Sequence, residues 1–121
     1  MRAQLGTVTV TDNRGIASAS WTATVTGTAF VTGGATAPET IPLTQVTYWS
    51  GPATATAGTG TFTPGEPAAA NAVDLTAPRT AFSLASGSSV NSASWNPTLS
   101  VSVPAAAVAG TYTATITHSV S

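Results

Sequence analysis

The chain has 121 residues, enough for one compact domain and too few for two independent cores. Three Arg and four Asp or Glu are its only full charges, and it has one His, no Lys and no Cys. This excludes disulfides, thiolate chemistry, lysine crosslinks and a Cys/His zinc site, and three scattered Arg cannot neutralise a run of phosphates, so no nucleic-acid partner is expected.

Along the chain the hydrophobic period is two almost everywhere. Residues 5–11 read as a strand, with Val8 and Val10 alternating against Thr7, Thr9 and Thr11. Asp12-Asn13-Arg14-Gly15 has the chemistry of a turn. Residues 21–26 place Trp21, Ala23 and Val25 on one face and three Thr on the other, as in a half-buried antiparallel strand. A short strand carrying Phe30 precedes a loop at Gly33-Gly34 and Pro38.

Residues 41–49 read as one strand, ended by Gly51-Pro52. Residues 53–70 are rich in Ala, Thr, Gly and Pro and are placed only coarsely: a short strand at 59–62, a turn at Pro64-Gly65 and a helical turn at 67–70. Strands follow at 72–75 and 80–85, then a loop at 87–92. Residues 98–103 alternate Leu99, Val101 and Val103 with hydroxyl residues, and Pro104 ends the run. Residues 111–120 read as a ten-residue strand with Tyr112, Ala114, Ile116, His118 and Val120 on one face.

Short strands with turn signals between them predict an all-β fold, a single antiparallel β-sandwich of Ig-like or Greek-key/jelly-roll type, over residues 1–121 as one domain. No stretch approaches the roughly 20 apolar residues of a membrane span, so no membrane insertion is expected. The opening Met1-Arg2-Ala3-Gln4 leads into a strand and carries no secretory signal; an exported parent would have lost it.

Catalysis is not expected. A Ser-His-Asp triad would have to use His118, which sits in mid-strand between apolar neighbours, and there is no Gly-x-Ser-x-Gly. Asp12, Glu39, Glu66 and Asp74 lie in four separate segments, with nothing to pair two of them as a glycosidase requires. Asp12-Asn13 is too few ligands for calcium and reads as a turn, so no metal and no cofactor are expected.

The aromatic residues remain. Trp21 shares its face with Ala23 and Val25 and reads as core. Tyr48 and Trp49 are adjacent on a strand and point to opposite faces, and Trp49, in step with Thr47, reads as the outward one. Trp95 precedes Asn96-Pro97 and reads as lying at a strand edge or bulge. Trp49 and Trp95 are the leading candidates to stack on a ligand, with Tyr48, Trp21 and Arg14 as further candidate contacts. Trp49→Ala or Trp95→Ala is then expected to weaken binding without unfolding the domain.

The block from Thr7 to Gly15, followed by Trp21-Thr-Ala-Thr-Val25, resembles the opening of WxL domains, the cell-wall-binding surface domains of Gram-positive bacteria. Val101-Ser-Val-Pro104 and Ala109 to Thr117 resemble their final strand, so the resemblance covers the two ends of the chain better than its middle. The first Trp-x-Leu motif reads Trp21-Thr22-Ala23 here, and the second reads His118-Ser119-Val120. The resemblance implies an extracellular domain at the cell surface or wall. It also implies non-covalent association with peptidoglycan or another cell-wall glycan, or with a companion surface protein. The residues leave a second reading open. Few charges guard the strands at either end, so edge pairing between copies would give a homo-oligomer, filament or lattice.

Overall fold

The computed structural model describes residues 2–121, so Met1 of the opening segment lies outside the described residues. Thirteen strands follow in chain order: β1 (Arg2–Gln4), β2 (Val8–Asp12), β3 (Ala19–Gly27), β4 (Phe30–Val31), β5 (Thr40–Ile41), β6 (Val46–Trp49), β7 (Ala53–Ala57), β8 (Thr61–Pro64), β9 (Val73–Asp74), β10 (Arg79–Gly87), β11 (Asn91–Trp95), β12 (Thr98–Val101) and β13 (Ile116–Val120). The only helical pieces among the described residues are 3₁₀ turns at Ala37–Glu39, Leu43–Gln45 and Ala69–Asn71. The fold is all-β, and every strand pair is antiparallel.

Two sheets share one strand order. One runs β1-β12-β6-β9 and the other β2-β11-β7. The chain passes directly from β1 to β2, from β11 to β12 and from β6 to β7. The two are therefore halves of one three-stranded ribbon, bent where all three strands are interrupted. Each interruption has a local cause. Gly6 (φ +98°) and Gly51 (φ +72°) supply backbone that other residues resist. Pro52 and Pro97 have no N–H to give to a ladder. Across the bend, Leu5 N donates to Pro97 O (2.8 Å) and Gly6 N to Asn96 Oδ1 (3.2 Å). The other large sheet runs β13-β3-β10-β8, and β4-β5 form a small ladder of their own.

One buried cluster draws on all three large sheets. It holds Trp21, Ala23 and Val25 of β3, Val46 and Tyr48 of β6, Phe82 and Leu84 of β10, Ala93 and Trp95 of β11, and Leu99 and Val101 of β12. Alternation explains most of this list. The exception is β10, where Ala81 and Phe82 are consecutive and both fully buried. A register shift between Thr80 and Phe82 marks a bulge there, which turns two successive side chains inward.

Several sequence expectations need correcting. The run 41–49 is not one strand: Pro42 starts a 3₁₀ turn at Leu43–Gln45, and the strand resumes at Val46. The strand expected over 5–11 lies at Val8–Asp12, because residues 5–7 form the bend between β1 and β2. The short strand expected at 59–62 lies at Thr61–Pro64, and Ala53–Ala57 is a strand that no large apolar residue marks. The loop expected at 87–92 ends early, since β11 begins at Asn91. The strand expected over 111–120 is regular only at Ile116–Val120, because its partner β3 ends at Gly27. Upstream, Thr113 still exchanges both backbone hydrogen bonds with Val31 as an isolated bridge.

Candidate functional site

The register of the β1-β12-β6-β9 sheet decides which side chains share its outer face. Arg2 is opposite Ser100, which is opposite Thr47. Gln4 is opposite Thr98, which is opposite Trp49. These residues line up on one side, while Leu99, Val101, Val46 and Tyr48 turn to the core. The outer face is thus a stripe of hydroxyls and an amide with one half-buried indole, and Asp74 of β9, opposite Thr47, closes the row that begins with Arg2. Arg2 and Trp49 reach across β12 to each other, with the Arg2 Cζ 5.0 Å from the Trp49 ring centroid. That is the distance of a cation–π contact.

The other candidate aromatics have different fates. Trp21 is buried, as its face predicts, and its Nε1 donates to the buried Asn91 Oδ1 (2.9 Å). Tyr48 is fully buried. Trp95 is not at an edge but on β11, the middle strand of β2-β11-β7, where a register shift against β7 between Ser94 and Trp95 marks the irregularity that the sequence allowed as a bulge; the correction is that the ring is fully buried. It stacks on Phe82 with ring centroids 4.8 Å apart and an interplanar angle of 21°. In this structure neither Tyr48 nor Trp95 offers a ring face to a ligand.

His118 joins this aromatic group. Trp95 Nε1 donates to Tyr48 Oη (3.3 Å), and Tyr48 Oη lies 2.9 Å from His118 Nε2. Burial pushes the His118 pKa down and the Tyr48 pKa up, so both rings stay neutral at pH 7. The Tyr48 hydroxyl joins the Trp95 N–H to the imidazole, the donor between Oη and Nε2 being set by the histidine tautomer. His118 thus terminates a chain of core hydrogen bonds.

Arg14 is committed within its own turn. Its Nε and Nη2 grip the two Asp12 carboxylate oxygens at 2.9 and 2.7 Å, and Nη2 also donates to Ser20 O (2.8 Å). The Arg14 backbone N donates to Asp12 Oδ1 (3.1 Å), closing the Asx turn read in the sequence. Arg14 holds the Asp12 carboxyl down to a pKa of about 2.

The remaining carboxylates are each engaged separately. Asp74 accepts from Arg79 Nη2 (2.7 Å) and from Thr76 Oγ1 (2.6 Å), and its pKa is about 2. Glu39 accepts from Thr36 Oγ1 and Gly34 N, which lower its pKa. Glu66 is buried, and its Oε1 has no hydrogen-bond partner. Among the described residues no group of three or more His, Cys, Asp or Glu is gathered in a way that could hold a metal ion. Among them also, no helix is long and apolar enough to cross a membrane.

A second surface feature was not legible in the sequence. Strand β2 is the outer strand of its half-sheet, and β13 is the outer strand of the other large sheet. The two strands flank a cleft of about 250 Å³ lined by Val8, Val10, Ala23, Trp95, His118 and Val120. Seeing it requires the strand order, which periodicity does not contain.

Comparison with known proteins finds no matching family model, no matching curated protein and no matching solved structure.

Proposed function

We propose that this is a non-catalytic cell-surface domain of WxL-like type, a single β-sandwich that binds cell-wall glycan through the outer face of β1-β12-β6-β9. In this reading the bent ribbon is one layer and β13-β3-β10-β8 the other, as in a Greek-key sandwich. The observation that carries the binding role is the placement of Trp49. It is the one tryptophan outside the core, and it lies among Thr47, Thr98, Ser100 and Gln4. An indole beside hydroxyl and amide groups suits a pyranose, which has an apolar C–H face and a polar rim. Extracellular localisation and a peptidoglycan or companion-protein partner belong to the same proposal.

The test is co-sedimentation of the domain with purified peptidoglycan sacculi. Trp49→Ala is expected to weaken binding about tenfold, the loss of one stacking contact of roughly 1.4 kcal/mol. Its urea midpoint is expected to stay near wild type, because the ring is outside the core cluster. Unchanged pelleting of the variant would remove this face from consideration.

The second reading, a self-assembling subunit, is favoured by the cleft between β2 and β13. Neither strand has a ladder partner on its outer side among the described residues, and no Lys blocks either edge. A strand from a second copy entering there would cover Val120, which is 53% exposed. This reading expects the sedimentation coefficient to rise with protein concentration equally in 0.1 M and 1 M NaCl, since few charges are involved. A monomer at every concentration would end it.

A further inference from the structure

We infer that the Trp49 face selects an anionic saccharide, with Arg2 as the residue that reads the negative charge. This rests on the glycan-binding reading above and adds the ligand class. The first observation is the disposition of the three arginines. Arg14 and Arg79 are each bonded to an aspartate at 2.7 Å. The Arg2 side chain has neither a carboxylate nor a hydrogen-bond partner among the described residues, and its guanidinium lies over the Trp49 ring. Its five N–H donors are therefore unspent.

The second observation is the position of that charge. Arg2 and Trp49 sit on the same outer face as Gln4, Thr98 and Ser100. The indole orients the guanidinium without consuming its hydrogen bonds, since a cation–π contact uses the ring face. A sugar ring on Trp49 would bring a carboxylate or phosphate substituent within reach of the guanidinium fork, which matches the geometry of either group. Asp74 of β9 ends the same row, opposite Thr47, but its carboxylate is taken up by Arg79 and Thr76; of the others, Asp12 is held by Arg14, Glu39 by its own loop, and Glu66 is buried. Net charge is −1 overall, but with Asp74 neutralised by Arg79 the unpaired charge among the described residues of this face is Arg2.

The experiment is calorimetric titration of the wild-type domain with three probes: chitohexaose, hexagalacturonate and a phosphorylated mannose pentamer. Sacculi co-sedimentation runs beside it. We expect at least one anionic probe to bind about tenfold more tightly than chitohexaose in 50 mM NaCl, and the advantage to shrink in 0.5 M NaCl. Which anionic probe wins distinguishes carboxylate from phosphate. Arg2→Gln is expected to bring the ratio of anionic-probe to chitohexaose affinity down to about one, and Arg2→Lys to keep part of the advantage. Trp49→Ala is expected to weaken all three probes. Equal affinity of the wild type for all probes, or an anionic preference that survives Arg2→Gln, would overturn the inference and leave glycan binding standing. Failure to bind any probe or the sacculi would overturn both.

Discussion

Trp95→Ala is expected to cost about 3–5 kcal/mol of stability, the range for truncating a large buried aromatic. A small domain has roughly 5–15 kcal/mol in total, so the variant should be partly or wholly unfolded at 37 °C. The cost has three sources. The indole is fully buried and stacks on Phe82, so its removal leaves a cavity in the core. Its edge contact with His118, centroids 6.2 Å apart, is lost. Tyr48 Oη also loses the donor that fixes its orientation toward His118. Trp95→Phe keeps a six-membered ring against Phe82 but loses the rest of the indole with its N–H, so it should cost less, about 1–3 kcal/mol. Urea unfolding of both variants checks this. A wild-type midpoint for Trp95→Ala would show that the ring is not a packing element. The sequence pattern alone leads to the opposite expectation, a surface residue whose loss weakens binding and leaves the fold intact.

The reason is specific to β11. Its buried positions are Asn91, Ala93 and Trp95, a polar residue, a small one and one aromatic. The alternation is present, but Asn and Ser neighbours read as loop chemistry. Asn91 is inside only because it accepts from Trp21 Nε1 and donates to Ser88 O (3.0 Å), pairings about which sequence spacing is silent. Strand β7, Ala-Thr-Ala-Thr-Ala, is hidden for a related reason: it lies at the edge of its half-sheet with four of its five residues exposed, so no bulky side chain marks its inner face. Where the inner positions are large, as in β3, β6 and β12, periodicity places each residue on its correct face.

The breakers were legible but their meaning was not. Gly51-Pro52 reads as a strand end and Asn96-Pro97 as the mark of an edge or bulge, and the structure uses both with Gly6 as a shared bend through three adjacent strands. Trp49 was legible as outward-facing from its alternation with Tyr48. Its partner Arg2 was not, because the two are 47 residues apart and meet only through β12, which pairs with both strands. Local pattern fixes which face a side chain takes, and strand order fixes which side chains share that face. Only the first is written locally in the chain.

Glu66→Gln is expected to stabilise the domain at pH 8 and to change little at pH 4.5. The Glu66 backbone is tied to the β6–β7 bend: Gly51 N donates to Glu66 O (3.0 Å), as does Ser50 Oγ (3.1 Å). This fixes the residue where its carboxyl is buried and Oε1 is unpartnered. Burial raises its pKa from 4.5 to about 7, against smaller opposing effects of the Ser50 hydrogen bond and the Arg79 charge. The folded state therefore holds the proton more tightly than the unfolded chain. Its stabilising contribution is complete below about pH 4.5, declines as pH rises and is lost above about pH 7. The neutral amide of Gln lacks this penalty, so the variant's advantage should grow over that window by up to about 2–3 kcal/mol. His118 acts in the opposite sense, because its lowered pKa removes stability as pH falls below its ordinary value of 6.5. Asp12 and Asp74, held near pKa 2, add to the loss only at lower pH, as the medium falls below 3.8 toward 2. The wild-type profile alone therefore mixes opposing slopes, and the difference between variant and wild type at each pH isolates Glu66. Urea unfolding of both proteins at pH 4.5, 6 and 8 supplies it. A difference that stays constant with pH would mean that the buried carboxyl titrates normally, with solvent or a counter-charge reaching Oε1.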